Sequence, residues 1–368
     1  MTQQLRPAYV NADQSFFDSD ALSKIVSFAA ACGTDILTDT GQLMYEANLA
    51  GGEGPLAALI GPMKDRGPST GVIICQDKLV ASWGTPDRAD VAFSLTKIFV
   101  NALAGIAYRD GLISDLDAPV STSIENDWFS GPHNGHVTWR QLLQLTSEWT
   151  GMLFGRPDSI DWHRAVGGAA AIRPKGSFRE IQTPGSYWEY NDVRINALCA
   201  ALTMLFQEPL PAILDRELMR PLGASQTWTW NGFRETDIDW HGRKLPFVPG
   251  GSHWGGGMQV SAIDLALIGQ LYLRLGIWNS EQILPDDWVD ISLRPSLLKP
   301  EYGFLWWLNT NEAFSGFSAR TFWAAGLGGN LLLADPERDL VVVLRWIEAA
   351  SRDTVLRSII EVGTSVEI

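Results

Sequence analysis

Three cysteines in 368 residues, Cys32, Cys75 and Cys199, are too few and too widely spaced for a disulfide framework, and no close cysteine pair suggests a zinc site. Their odd count reads as free thiols in a reducing compartment. The five histidines (His133, His136, His163, His241, His253) form no His-Glu-x-x-His helix or other familiar metal spacing, so no metal and no cofactor are expected. There is no run of lysine and arginine of the kind that neutralises phosphates, and the net charge is −14, which excludes nucleic acid as the natural partner. That acidity serves solubility and does not say where the field points. No apolar run reaches membrane-spanning length, and Met1 to Ser19 holds no basic region followed by an apolar stretch. A soluble, cytoplasmic chain without a membrane partner is therefore expected. Phosphate loops, dinucleotide fingerprints, repeats and low-complexity linkers are also missing. The Gly-x-Ser-x-Gly elbow of the α/β-hydrolases is absent too: Gly250-Gly251-Ser252-His253-Trp254 and Gly316-Phe317-Ser318-Ala319-Arg320 each lack the second glycine.

What is present is material for a large core. Apolar residues make up 46% and charged residues 19%, which argues against disorder. The sixteen tryptophans serve packing, or an aromatic-walled pocket for acyl groups. Ala21 to Ala31 reads as an amphipathic helix, and Gly71 to Trp83 as two strands around Gln76-Asp77-Lys78. A long apolar helix is expected from about Ser94 to Arg109, stopped by Asp110-Gly111. Thr138 reads as the cap of a helix carrying Leu142 and Leu143. Ser261 caps another, whose apolar stripe is Leu265, Ile268, Leu271 and Leu275. Gly329 to Leu333 and Leu340 to Trp346 read as strands joined by Asp335-Pro336-Glu337, before a last helix from about Ser351 to Val362. Strands at both ends and helices between predict an antiparallel sheet with covering helices, and a helical insert. The sheet lobe would be 1–93 and 255–368, and the mostly helical lobe 94–254.

Three short segments carry candidate chemistry. Ser94-Leu95-Thr96-Lys97 opens a helix after a strand, and one helical turn puts residues i and i+3 on one face, where hydroxyl and amine can converge. A serine hydroxyl needs a base before it attacks, and a helix N-terminus favours the negative charge that develops. A second copy, Ser296-Leu297-Leu298-Lys299, runs into Pro300, which disfavours helix at Lys299. The plain alternative for the first copy is a helix cap beside a solvated lysine. Tyr190-Asn191-Asp192 precedes a helix-like run from Val193 to Phe206. A tyrosine beside a cation can act as a general base, though a tyrosine before a helix more often packs. Trp323-Ala324-Ala325-Gly326-Leu327-Gly328-Gly329-Asn330 is either a strand edge that donates an N–H to an oxyanion or a glycine-rich turn.

In order and spacing these segments resemble the serine β-lactamase and penicillin-binding-protein superfamily, in its class C-like branch with carboxylesterases, D-amino-acid peptidases, amidases and nylon-oligomer hydrolases. The resemblance runs from about Gly54 to Glu348. It includes Gly111-Leu112-Ile113-Ser114-Asp115-Leu116-Asp117, Leu145-Thr146-Ser147 and Gly255-Gly256-Gly257-Met258. It implies an α+β fold of the β-lactamase/transpeptidase type: an antiparallel sheet flanked by helices, an all-helical lobe, and the active site in the cleft between them. It also implies Ser94 as acylated nucleophile, Lys97 beside it, and Tyr190 as the tyrosine of the family's Tyr-x-Asn motif. The backbone N–H groups of Ser94 and Leu327 would form the oxyanion hole. Asp192, Gly326, Trp323, His253 and Trp149 are expected to support or line the pocket, with a purely structural histidine as the alternative for His253.

Two departures from the family pattern matter. Asp192 stands where the family has asparagine; contact with Lys97 would keep that lysine charged, so that it stabilises a Tyr190 phenolate. Ala324-Ala325-Gly326 stands where relatives have Lys-Thr-Gly or His-Thr-Gly, and two alanines cannot hold an antibiotic's carboxylate by charge or hydroxyl. The sequence thus predicts a serine hydrolase acting on a small ester or amide, with weak or absent β-lactamase activity. An acyltransferase using the same acyl-enzyme, and a non-catalytic binding module on the same scaffold, stay open, as does a homo-oligomeric state.

Overall fold

In the computed structural model, which describes residues 19–166 and 173–363, segments from both ends of the chain meet in one six-stranded antiparallel sheet. Its strands are β1 (Thr70–Cys75), β2 (Lys78–Trp83), β3 (Trp307–Leu308), β4 (Phe322–Gly326), β5 (Asn330–Asp335) and β6 (Leu340–Arg345), in the spatial order β3-β4-β5-β6-β1-β2. The helices are α1 (Ser19–Ala31), α2 (Thr40–Ala50), α3 (Thr96–Arg109), α4 (Trp139–Leu143), α5 (Asp192–Phe206), α6 (Leu210–Leu214), α7 (Ala262–Leu273), α8 (Asp286–Ser292) and α9 (Ala349–Gly363). No single described helix is long and apolar enough to cross a membrane.

The sheet is central because its middle strands have no polar face. Every position of β1, β5 and β6 is buried, as expected of continuous apolar runs covered on both sides. Ile25 and Ala29 of α1 and Val355 and Ile359 of α9 pack on Ile73, Leu333 and Val342 on one face. Leu265 and Ile268 of α7 pack with Leu332, Val341 and Val343 on the other. At Gly269 a Cβ would meet a Val341 methyl at 2.8 Å, so this glycine sets how closely α7 lies on the sheet.

Between β2 and α7 the chain is built around two buried helices. In α3 the whole run Thr96 to Ala107 is buried, and in α5 the run Asp192 to Met204. The region 94–254 is nevertheless not all helical. It contains the strand pairs Met152–Leu153 with Arg156–Pro157 and Ile238–Trp240 with Arg243–Leu245, and the strand Thr229–Asn231. Strands of two or three residues are too short to show a period-2 pattern in sequence.

Other corrections are local. Leu275 falls beyond α7 in a left-handed turn (φ 50°), 52% exposed, and so leaves the predicted stripe. Trp149 does not line a pocket: it is fully buried, its indole N–H donating to the Trp128 carbonyl at 2.6 Å. An indole with its N–H satisfied inside apolar surroundings is a core residue. All three cysteines are free.

Candidate active site

The backbone before Ser94 is strained. Phe93 is buried in the left-handed region (φ 47°), its ring held edge-on against Trp346 with centroids 6.1 Å apart. A non-glycine residue there costs about 1–3 kcal/mol and persists only where packing imposes it. The packing is anchored by buried Arg345, which donates to the carbonyls of Val91 at 2.9 Å and Val260 at 2.8 Å, and to Asn330 Oδ1 at 2.6 Å. Sheet and Ser94 segment are thereby clamped together. Ser94 sits in a 3-10 turn, Phe93–Leu95, and α3 starts at Thr96 rather than at the serine. Neither turn nor helix has a side-chain cap, so the Ser94 hydroxyl does not serve as one.

Lys97, one turn on, is buried, with its Nζ 3.3 Å from Ser94 Oγ and 2.7 Å from Asp192 Oδ1. Asp192 opens α5, with Asn191 as cap accepting from the N–H groups of Val193 and Arg194. That cap orients Tyr190, whose ring centroid lies 4.7 Å from Lys97 Nζ. No hydrogen bond to the Tyr190 hydroxyl forms among the described residues. Burial alone would lower the Lys97 pKa, but the Asp192 and Tyr190 charges outweigh it and hold the ammonium above the ordinary lysine range. Burial acts on Asp192 the opposite way, yet Arg164 and Lys97 hold its carboxyl well below the usual range. Lys97 is therefore a fixed cation beside the serine and the tyrosine.

Beneath this triad lies a network that the sequence did not reveal. Arg164 Nη1 donates to Asp192 Oδ2 at 2.6 Å and to Asp161 Oδ2 at 3.3 Å. Asp161 Oδ2 also accepts the Asp192 backbone N–H at 2.9 Å, and Asp161 Oδ1 pairs with Lys175 Nζ at 3.2 Å. Lys175 also binds Glu53, whose Oε1 is 2.6 Å from His253 Nε2 and whose Oε2 accepts the Trp254 indole N–H at 3.0 Å. Glu53, Asp161 and His253 place their ligand atoms within 4.8 Å of one another, a grouping that could hold a metal ion. The Lys175 ammonium already supplies a positive charge there. Glu53 lies more than a hundred residues from Asp161, Arg164 and Lys175, and the four match no motif, so only folding reveals the network.

Arg164, Lys175 and His253 border a cavity of about 350 Å³, lined on its reactive side by Phe93, Ser94, Asp192 and Leu327. Leu327 directly follows β4, next to Gly326. A Cβ at Gly326 would stand 2.6 Å from the Ala92 carbonyl, so glycine lets the strand and the turn before Ser94 approach this closely. β4 pairs with β5 along its length but with β3 only at Phe322 and Trp323, which leaves the edge from Ala324 to Gly326 unpaired. Trp323 stacks on Trp307 (5.3 Å, 14°), which stacks on Tyr190 (6.3 Å, 17°); it backs the tyrosine through that ring and is not among the cavity residues.

Because Asp192 sets the Lys97 charge, Asp192→Asn is expected to move the alkaline limb of the pH–rate profile to lower pH. Losing the carboxylate leaves burial to depress the Lys97 pKa, so the cation is lost sooner as pH rises. An unchanged profile in steady-state kinetics would show that Asp192 does not govern the charge that matters.

The Beta-lactamase family model matches residues 56–349. Among solved structures, one similar protein from Bacillus anthracis bears the provisional name 6-aminohexanoate-dimer hydrolase. It is 19% identical over 81% of this chain and 79% of its own, with a TM-score of 0.56. EstCE1, described as a hydrolase with promiscuous acyltransferase activity, is 16% identical over 94% of this chain and 98% of its own, with a TM-score of 0.58. A penicillin-binding-protein homologue from Caulobacter crescentus is 15% identical over 88% and 98%, with a TM-score of 0.58. At these identities the likeness is one of fold. A search of curated proteins gave no significant match. With a family match over most of its length and a β-lactamase/transpeptidase-like α+β fold, the chain belongs to the Beta-lactamase family.

Proposed function

We propose that this chain is a serine hydrolase that cleaves an ester or amide through an acyl-enzyme on Ser94. The observation that carries the reading is the position of Lys97 Nζ, which donates to both Ser94 Oγ and Asp192 Oδ1 from a buried site. An ammonium held charged cannot take the serine proton. It stabilises a Tyr190 phenolate instead, and Tyr190 serves as general base for attack and general acid to the leaving group. The Ser94 and Leu327 N–H groups would receive the oxyanion. Water, activated by the same pair, then releases the acid.

A transferase needs only another acceptor in place of water at the same acyl-enzyme, a reading favoured by the activity named for EstCE1. Alcohol added to the assay measures that partition directly.

The test is intact-mass spectrometry after a fluorophosphonate probe, alongside hydrolysis of p-nitrophenyl acetate and butyrate. Turnover and a single adduct mapping to the Ser94 peptide are expected. No adduct, or one on another residue, would remove the basis for the mechanism. Penicillin and cephalosporin turnover is expected to be marginal beside ester turnover, because Ala324 and Ala325 offer neither charge nor hydroxyl to the antibiotic's carboxylate. β-Lactam hydrolysis at rates rivalling the esters would refute that reasoning.

A further inference from the structure

The charges that face the cavity differ from those beneath it. The Arg164 and Lys175 side chains are 23% and 17% exposed, whereas Asp161 and Glu53 are 0% and Asp192 is 3% exposed. Glu53 and Asp161 neutralise the cations from below; Asp192 also lines the cavity but is already paired with Lys97 and Arg164, and the guanidinium and ammonium complete the wall. Among the described residues Arg164 makes side-chain hydrogen bonds only through Nη1, its guanidinium otherwise lying 5.4 Å from the Tyr190 ring centroid, so its other N–H donors have no hydrogen-bond acceptor there. Ser252 Oγ, on a residue 3% exposed, and His163 Nε2 are buried at the same cavity with no hydrogen-bond partner among the described residues. Buried polar groups are nearly always partnered in native structures, so unpaired groups beside two cations point to a ligand that accepts hydrogen bonds. Met44, Ala47 and Phe93 supply the apolar part of the same wall.

We propose that this cavity receives a carboxylate carried by the substrate, on a short apolar arm from the scissile carbonyl. The proposal rests on Ser94 being the nucleophile. Recognition of an anion would then sit with Arg164, Lys175 and Ser252, away from β4, whose alanines cannot provide it. Three contacts in series, Ser94 to Lys97 to Asp192 to Arg164, join the nucleophile to the guanidinium, which keeps the two within reach of a short arm. Half-esters of four- and five-carbon dicarboxylic acids fit that description. An amine at this place is disfavoured, because both Asp192 oxygens already bind cations.

The experiment compares kcat/KM for p-nitrophenyl half-esters of succinic and glutaric acid with that for their methyl-capped, uncharged counterparts. Charge-assisted hydrogen bonds should favour the anionic esters on the order of tenfold. Ser252→Ala and Lys175→Gln should each reduce that ratio severalfold, and calorimetry with glutarate on the wild-type protein should show saturable binding. A wild-type ratio of one or below would overturn the carboxylate site while leaving the hydrolase reading intact. If neither ester turns over and Ser94 takes no label, the hydrolase reading fails. Absence of saturable glutarate binding overturns the site irrespective of turnover.

Discussion

Ser94→Ala is expected to lower kcat/KM for p-nitrophenyl esters by roughly 10⁴-fold or more, with unfolding behaviour almost unchanged. The size follows from the chemistry, since without a nucleophile no acyl-enzyme forms and only binding and the oxyanion donors remain. The unchanged stability follows from the structure, because the Ser94 hydroxyl caps neither the 3-10 turn nor α3. If the serine were a helix cap and nothing more, the reverse would hold: a loss of about 1 kcal/mol in stability and none in rate. Lys97→Met should be similarly inactive and still fold, because Arg164 continues to neutralise Asp192. Parallel steady-state kinetics and denaturant melts decide between the two readings, and an active Ser94→Ala protein would end the acyl-enzyme proposal.

The second large effect concerns stability. Arg194→Ala is expected to cost about 3–5 kcal/mol, because it removes one partner from a buried ionic cluster. Arg194 is 1% exposed and donates to Glu148 Oε1 at 2.6 Å, Asp158 Oδ2 at 3.1 Å and the Trp149 carbonyl at 2.9 Å. Arg179 completes the cluster by binding Glu148 and Glu189. Without Arg194, Glu148 and Glu189 would share the one remaining guanidinium, and Asp158 would keep only neutral donors from Thr150, Gly151 and Trp162. Burial pushes the Glu148 pKa up, but Arg179 and Arg194 bring it below the usual carboxylate range. A depressed folded-state pKa contributes stability that is full above the unfolded value and fades as pH falls through the folded one. In Arg194→Ala that fading should begin at higher pH. Urea melts across an acid pH series would show it, and a loss below about 1 kcal/mol would mean that the cluster relaxes or admits water. Arg194 lies two residues after Asp192 on α5, so some activity should be lost as well.

The sequence by itself determined what local chemistry and periodicity can encode. The buried runs of β1, β5 and β6 are strands because nothing polar interrupts them. Thr138 is a helix cap, in a capping box with Gln141, because a hydroxyl and an amide three residues apart satisfy one another. The spacing of Ser94 and Lys97 is legible for the same reason, since one turn of helix brings them together wherever the helix lies. Tyr190 and Gly326 were identifiable through resemblance and order along the chain. Tertiary structure alone decided the rest. Lys97 touches Asp192 across 95 residues and Glu53 meets Lys175 across 122, separations at which no local rule applies. Trp149 and His253 show the same limit: a tryptophan and a histidine beside motifs read alike in sequence, yet one is core and the other lines the cavity. The charges that line the cavity were least legible of all. A net charge of −14 counts residues, whereas the cavity wall depends on carboxylates packing underneath while Arg164 and Lys175 reach the surface.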